Sequence, residues 1–140
     1  MSITAAVCNS FKSEVLDGTH AAADVYKIAL FVSAATLGAA TTAYAATNEV
    51  ANGNGYTTGG ITLVGRVNSL VNGVACLDFT TDPAWANASF TARGALIYNS
   101  SKSNKAVAVL DFGADITATN ATFTVTLPAA DDTHATVRLA

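Results

Sequence analysis

The sequence is poor in charged residues. Asp, Glu, Lys and Arg make up 12% of its 140 residues, about half of the usual share of roughly 25%. The seven Lys and Arg residues are scattered and the formal net charge is −3, so no basic stripe is available for a nucleic-acid backbone. Nucleic acid is therefore not expected as a partner. A surface built from Thr, Ala, Asn and Ser suits burial in an assembly better than a freely diffusing enzyme.

Histidine and cysteine are also scarce. The two histidines, His20 and His134, lie near opposite ends of the chain, and the two cysteines, Cys8 and Cys76, are far apart. Zinc sites need such residues clustered at short spacing, so the sequence predicts no metal site. Each histidine is interpreted as a loop or surface residue. The two cysteines could form a disulfide or be two buried small hydrophobic residues, and the second interpretation is favoured.

The common catalytic and nucleotide-binding motifs are absent. Gly53 and Gly55 are followed by Gly59, one position later than the dinucleotide-binding fingerprint requires, and no Lys follows a glycine as in a phosphate-binding loop. No Gly-x-Ser-x-Gly nucleophile elbow is present. We therefore expect a protein that is not an enzyme, with no catalytic, cofactor-binding or metal-binding residues and no cofactor.

The aspartates are interpreted as turn residues. Calcium sites and glycoside hydrolases both use paired carboxylates, but no Asp-x-Asp-x-Asp loop occurs here, and Asp is a routine turn residue because its side chain bonds its own backbone. Those predicted at strand ends or in turns are Asp78, Asp82, Asp111, Asp115, Asp131 and Asp132.

Residues 28–46 carry no charge and invite a membrane interpretation. Their length would suffice, but the large apolar residues crowd into 28–32, and Ala, Thr, Ser, Gly and Tyr dominate the rest. A secretion signal needs a short basic region ahead of its apolar core, and residues 1–27 are too long and not basic. The run predicts a buried strand over 24–32, then a long small-residue and glycine-rich connection over 33–60. We expect no membrane segment and a retained N-terminus.

The remaining patterns predict a β-protein. Residues 9–18 fit a short helix capped by Asn9 or Ser10 and stopped by Gly18. Asn72-Gly73 stands between two apolar runs, a strong hairpin signal because type I′ turns need positive φ at both central residues. Residues 81–88, "TDPAWANA", are interpreted as a turn. "KAVAVLDFG" and "ATFTVTLP" are predicted as separate strands.

About eight short strands without intervening helices predict one all-β domain over residues 1–140. The expected architecture is a two-sheet antiparallel sandwich with one short N-terminal helix. A jelly roll and an immunoglobulin-like sandwich both fit this pattern. With 51% hydrophobic residues, a substantial core is available.

Strand alternation and side-chain size select the expected core. In "ATFTVTLP", Phe123, Val125 and Leu127 face one side and threonines face the other. Trp85, the single tryptophan, is interpreted as a core or interface anchor. The predicted core residues are Phe79, Phe90, Ile97, Val109, Leu110, Phe112, Phe123, Val125 and Leu127.

Several stretches resemble a known family. "NSFKSEVLDGTH", "VYKIALF", "GNGYTTGG", "FTARGALIYN", "KAVAVLDFG" and "FTVTLPAADDTHATVRLA" are similar, in this order, to small virion proteins of tailed bacteriophages, of the capsid decoration or cement type. The similarity runs from Asn9 to Ala140, and "FTARGALIYN" and "KAVAVLDFG" are its more distinctive parts.

The resemblance implies a structural protein with a jelly-roll-type sandwich. Such a protein binds the outer surface of an icosahedral shell as a small oligomer, a dimer in preference to a trimer. Its partners would be the major capsid protein and itself, and its location the capsid exterior after synthesis in the bacterial cytoplasm. The alternative from another class is a tail-fibre or lectin-like module that binds a receptor or glycan, for which Trp85 with Asp82 and Asn87 is the candidate surface.

Overall fold

Strands dominate the computed structural model, which describes residues 2–128 and 135–139. It is 54% strand and 6% helix, with two antiparallel sheets and one short helix, as predicted. Asp131, Asp132 and His134 lie outside the described residues, so the predictions made for them stay predictions. The elements are β1 (Ala6–Val7), α1 (Asn9–Leu16), β2 (Tyr26–Phe31), β3 (Ile61–Thr62), β4 (Val64–Val71), β5 (Val74–Thr81), β6 (Ala84–Asn99), β7 (Lys105–Thr124) and β8 (Val137–Leu139).

The two sheets share one hydrophobic core. The larger sheet has the order β1-β7-β6-β2-β3 and the smaller one the order β4-β5-β8. The chain passes from one sheet to the other at Leu63, between β3 and β4. Tyr26 of β2 packs against Phe79 of β5, with ring centroids 6.0 Å apart. The core therefore lies where the sheets meet.

The apolar run is a buried strand, as predicted. β2 lies between β6 and β3, and five of its six residues are buried. When both faces of a strand are covered, its sequence is a continuous apolar run rather than an alternation of apolar and polar residues. No helix or strand is assigned between Phe31 and Ile61, which agrees with the predicted connection.

The predicted helix is present and starts at Asn9, but its capping residue differs and it ends at Leu16. The residue before its first turn is Cys8, which makes no side-chain capping bond, so neither Asn9 nor Ser10 is the cap. A buried cysteine takes this position because β1 runs directly into α1. Gly18, with φ +72, ends the helix, and its N–H donates to the carbonyl of Val15.

The Asn72-Gly73 hairpin is confirmed. Both residues have positive φ, 48° and 81°, as a type I′ turn requires. The turn joins β4 to β5, with Val71 opposite Val74.

One turn prediction and one strand boundary were wrong, because β-bulges lie where the sequence suggested breaks between strands. "TDPAWANA" is not a turn: β6 already begins at Ala84, Trp85 pairs with Phe123, and the register shifts between Trp85 and Ala88. Asn87, with φ +52, lies in this irregularity. Bulges admit an extra residue while the strand continues.

"KAVAVLDFG" and the first half of "ATFTVTLP" belong to one strand, β7, of 20 residues, and residues 125–128 follow it outside any assigned strand. Ala92 pairs with Ile116 while Gly94 pairs with Asp111, so residues 112–115 bulge opposite a single residue of β6. The glycine and aspartate at this point mark a bend in a strand and not its end.

Six of the nine predicted core residues are buried: Phe79, Ile97, Val109, Phe123, Val125 and Leu127. The predictions for Phe90, Leu110 and Phe112 were wrong, since these residues are partly buried and pack against the core from outside. Leu110 lies just before the bulge in β7 and Phe112 lies in it, and both line an open groove. Both cysteines are buried thiols rather than halves of a disulfide, as the favoured interpretation expected.

Candidate interaction surface

Three of the predicted turn aspartates accept hydrogen bonds within the described chain. Asp82 accepts the N–H of Leu127 at 2.9 Å, and Asp111 accepts that of Gly113 at 2.9 Å. Asp78 accepts the Thr136 hydroxyl at 2.7 Å. However, Asp78, Asp111 and Asp115 lie inside β5 and β7, so their prediction as turn or strand-end residues was wrong.

Residues 2–128 and 135–139 contain no group of three or more His, Cys, Asp or Glu side chains placed to hold a metal ion. Burial, followed by the nearby Glu14 carboxylate, raises the pKa of Cys8 to about 11. The thiol is therefore protonated at neutral pH, and a protonated thiol is a poor nucleophile.

A cluster of tyrosines around Glu49 organises the long connection. The Glu49 carboxylate accepts hydrogen bonds from Tyr44 and Tyr56, each at 2.6 Å, and from the Gly59 N–H at 2.7 Å. Tyr98 of β6 donates to the carbonyl of Gly59 at 2.6 Å and stacks on Tyr44 with ring centroids 4.5 Å apart. This tyrosine cluster fastens a stretch without regular structure to the large sheet.

The same contacts keep the phenols neutral. Burial, together with the hydrogen bonds to Glu49, raises the pKa of Tyr44 and of Tyr56 far above the ordinary value. Burial and the Glu49 charge raise the pKa of Tyr98 to about 12. These hydroxyls act as structural donors rather than as acids or bases. Sequence reasoning missed the cluster, although an acid among tyrosines in an uncharged segment was a usable signal.

Replacing Glu49 by alanine should destabilise the protein by about 2–3 kcal/mol, because hydrogen bonds to charged groups contribute about 1.5–3 kcal/mol each and water reaches part of this site. Tyr44→Phe, which removes one donor, should cost about 1 kcal/mol. Urea denaturation measures both. A smaller loss for Glu49→Ala than for Tyr44→Phe would contradict the role assigned to the carboxylate.

The outer side of the long connection forms an uncharged groove of about 810 Å³. Apart from Phe31 and Leu37, its lining is Ala, Thr, Gly and Asn, and it contains no Asp, Glu, Lys or Arg. A surface of this composition favours contact through shape and hydrogen bonds rather than through ion pairs.

The second surface feature is the edge of the small sheet. β4 is one of the two outer strands, opposite β8, and in the described chain its named strand partner is β5 alone. Val64, Val67 and Leu70 are 56%, 41% and 75% exposed. Natural edge strands usually carry Lys, Pro or other devices that prevent pairing, whereas the single charged residue of β4 is Arg66. The Arg66 guanidinium lies 5.5 Å from the centre of the Tyr26 ring. Because this charge is directed toward β2, the exposed large side chains of β4 are apolar.

The candidate glycan surface is not assembled. Trp85 is 3% exposed, stacks on Tyr56 and meets Phe123 edge-on. It is a core anchor, so Asp82 and Asn87 have no exposed aromatic ring beside them at this position.

Within the described residues, no helix combines the length and apolarity that a membrane crossing demands. In comparisons with known proteins, no family model, no curated protein and no solved structure matched this chain.

Proposed function

We propose that the protein is a capsid decoration, or cement, protein of a tailed bacteriophage. It would bind the outer face of the icosahedral shell and stabilise it through many repeated contacts. The observation that carries the proposal is the ordered resemblance from Asn9 to Ala140, above all "FTARGALIYN" and "KAVAVLDFG". The jelly-roll arrangement of the two sheets, the partnership with the major capsid protein and the location on the capsid exterior are parts of the same proposal.

The surface supports this function. A cement protein gains from many identical weak contacts, since simultaneous engagement raises total binding far above that of a single contact. Such contacts need a rigid scaffold and adhesive edges rather than a reactive pocket. The two sheets provide the scaffold. The uncharged groove of the long connection and the open apolar edge of β4 provide the adhesive surfaces.

Self-association through β4 is the form of oligomer that the edge favours. Two copies of β4 can pair antiparallel about a two-fold axis, the commonest symmetry of homo-oligomers. In the register centred between Val67 and Asn68, Arg66 faces Ser69, so no like charges oppose one another. Pairing of this kind also removes the exposed edge.

The functional test compares phage particles with and without the protein. Particles that lack it should assemble but rupture at lower temperature, because a ligand of the assembled state stabilises that state. The protein should be as abundant as the major capsid protein. Its retention should change little with salt, since screening weakens exposed charge pairs and not apolar contacts. Equal stability of the two kinds of particle, or labelling confined to the tail as in a receptor-binding module, would contradict the proposal.

The oligomer is tested with Val67→Lys, which places a charge on the β4 edge. We expect this variant to fold and to sediment as a monomer. Thr119→Lys, the matched control, adds the same charge at an exposed position of β7 and should retain the native oligomer. An unchanged oligomer in Val67→Lys would show that another surface joins the copies.

A further inference from the structure

His20 is buried, although the sequence predicted a loop or surface residue. Its side chain is 2% exposed, and its ring packs against Phe11 of α1 with centroids 4.8 Å apart. One ring nitrogen, Nε2, lies 3.0 Å from Glu14 Oε1. The other, Nδ1, lies 3.0 Å from Asn99 Nδ2. The loop assignment holds, but the ring fills a polar site between α1 and the end of β6.

The neighbours of Asn99 determine which ring nitrogen carries the proton. The Ser101 N–H donates to Asn99 Oδ1 at 3.0 Å, so this oxygen must be the acceptor. Asn99 Nδ2 donates to Asp24 Oδ2 at 2.8 Å, and a carboxylate can only accept. Each of these two hydrogen bonds determines the orientation of the Asn99 amide independently. In this orientation, Nδ2 also donates to His20. Nδ1 must therefore be unprotonated, and Nε2–H donates to Glu14, which defines the neutral tautomer.

The charges around the ring are balanced without a charge on histidine. Lys105 Nζ pairs with Glu14 Oε2 at 3.1 Å, and Lys102 Nζ pairs with Asp24 Oδ1 at 2.9 Å. We call this group the His20 cluster. Its charged members come from four places: Glu14 from α1, Asp24 from the connection before β2, Lys102 from the β6–β7 turn and Lys105 from β7. The Tyr26 ring of β2 also faces His20. On its other side, this ring contacts Arg66 of β4.

The cluster ties α1 to the body of the protein. Phe11 and Val15 on the inner side of α1 line a cavity of about 140 Å³ against Leu77 of β5 and Val137 of β8. Beyond this packing, α1 has no side-chain cap at its start. At that start, the Cys8 N–H donates to the Val107 carbonyl of β7 at 3.0 Å. The contacts from Glu14 and His20 to Asn99 and Lys105 are the side-chain ties that hold the end of the helix and the loop after it to β6 and β7.

We propose that His20 is an acid-sensitive latch that holds α1 against the sheets while the imidazole is neutral. A proton taken up at Nδ1 removes the acceptor for Asn99 and leaves two donors facing each other at 3.0 Å. It also adds a positive charge to the buried ring, beside two carboxylates that already pair with two ammonium groups. The latch then opens, α1 moves away, and Phe11 becomes exposed. This inference does not depend on the proposed function.

The pH range of the latch is separate from that of the carboxylates. Although burial tends to raise the pKa of Glu14, hydrogen bonds from His20 and Lys105 lower it overall. Hydrogen bonds from Lys102, Asn99 and the Ala21 N–H lower the pKa of Asp24. A depressed carboxyl pKa gives stability that is fully present above the unfolded value, about 4, and is lost only below it. A loss of protection between pH 7.5 and 5 therefore lies above the range in which these carboxylates take up protons.

The test is hydrogen exchange of the α1 amides at pH 7.5 and 5, corrected for intrinsic exchange rates. In the native sequence, opening should become at least about tenfold more frequent at pH 5, because the protonated ring loses the hydrogen bond from Asn99 and leaves that donor unsatisfied. His20→Gln keeps an acceptor for Asn99 and a donor for Glu14 but does not titrate, so its α1 amides should show no such change. His134→Gln, the matched control for the other histidine, should behave like the native sequence. Equal pH responses in the native protein and His20→Gln would overturn the proposal.

A direct measurement on the native protein covers the case in which His20→Gln does not fold. The long-range ¹H–¹⁵N spectrum of the imidazole should show the Nε2–H tautomer at pH 7.5, with Nδ1 unprotonated. Detection of a proton on Nδ1 at that pH would exclude the latch.

Discussion

Gly60→Ala should prevent stable folding. Gly60 has φ +77, and a Cβ atom on it would overlap the carbonyl oxygen of Ile28 and lie 2.8 Å from Ala29 Cα. These are backbone atoms of β2, the most deeply buried strand, so they cannot move aside as a flexible side chain could. Positive φ alone costs a residue with a Cβ about 1–2 kcal/mol. With the overlap added, the loss should exceed about 4–5 kcal/mol, the range reserved for severe core defects.

The matched control is Gly73→Ala. Gly73 has φ +81, close to that of Gly60, but nothing lies within 4 Å of a Cβ placed there. This variant should lose about 1–2 kcal/mol from backbone strain alone. Circular dichroism and urea denaturation of both proteins separate strain from overlap. Equal losses would mean that β3 can move away from β2 and that the close approach of the chain at Gly60 is not required.

Local patterns in the sequence predict much of the fold. The apolar run ending at Phe31 signals a strand covered on both faces, and Asn72-Gly73 signals a turn whose φ values only a few residue types tolerate. The alternation of Phe123, Val125 and Leu127 with threonines correctly predicts which side is buried. Each of these signals depends on residues that are neighbours in the chain.

The wrong strand boundaries share a physical cause. Asn87, Gly113 and Asn120 have positive φ, and as single residues they are typical of turns. Here the long pairing of β6 with β7 continues through irregularities near Asn87 and Gly113, because the ladder on either side outweighs the local preference. A sequence pattern cannot distinguish a bulge from a turn when the strands that decide it are far away.

The polar sites depend on contacts between distant segments. His20 and Asn99 are 79 positions apart in the chain, so the residues near His20 in the sequence do not predict that its side chain is buried. The tyrosine cluster likewise joins Tyr98 of β6 to Gly59 in the connection, 39 positions away. The edge of β4 is another such case, since a strand of eight residues becomes an edge only through the order of the sheet. Its apolar residues were visible in the sequence, but their exposure was not.

Phe123→Ala tests the core at the junction of β6 and β7. The ring is 5% exposed and contacts Phe90 with centroids 5.1 Å apart and Phe112 at 6.1 Å. Trp85, its partner across the strand pair, meets it edge-on at 6.1 Å. Truncating a buried phenylalanine costs about 3–5 kcal/mol through lost transfer energy and the cavity left behind.

The expected loss lies near the lower end of that range, about 3 kcal/mol. Phe123 also lines the groove of about 320 Å³ beside the β7 bulge, so water can fill part of the space that the ring vacates. Thr124→Ala, one residue on and exposed on the opposite side, is the control and should change stability by less than about 0.5 kcal/mol. Both losses are read from chemical denaturation. A loss below about 1 kcal/mol for Phe123→Ala would mean that the aromatic contacts of β6 and β7 contribute little to the stability of the two-stranded ribbon, and that its rigidity comes from the strand hydrogen bonds instead.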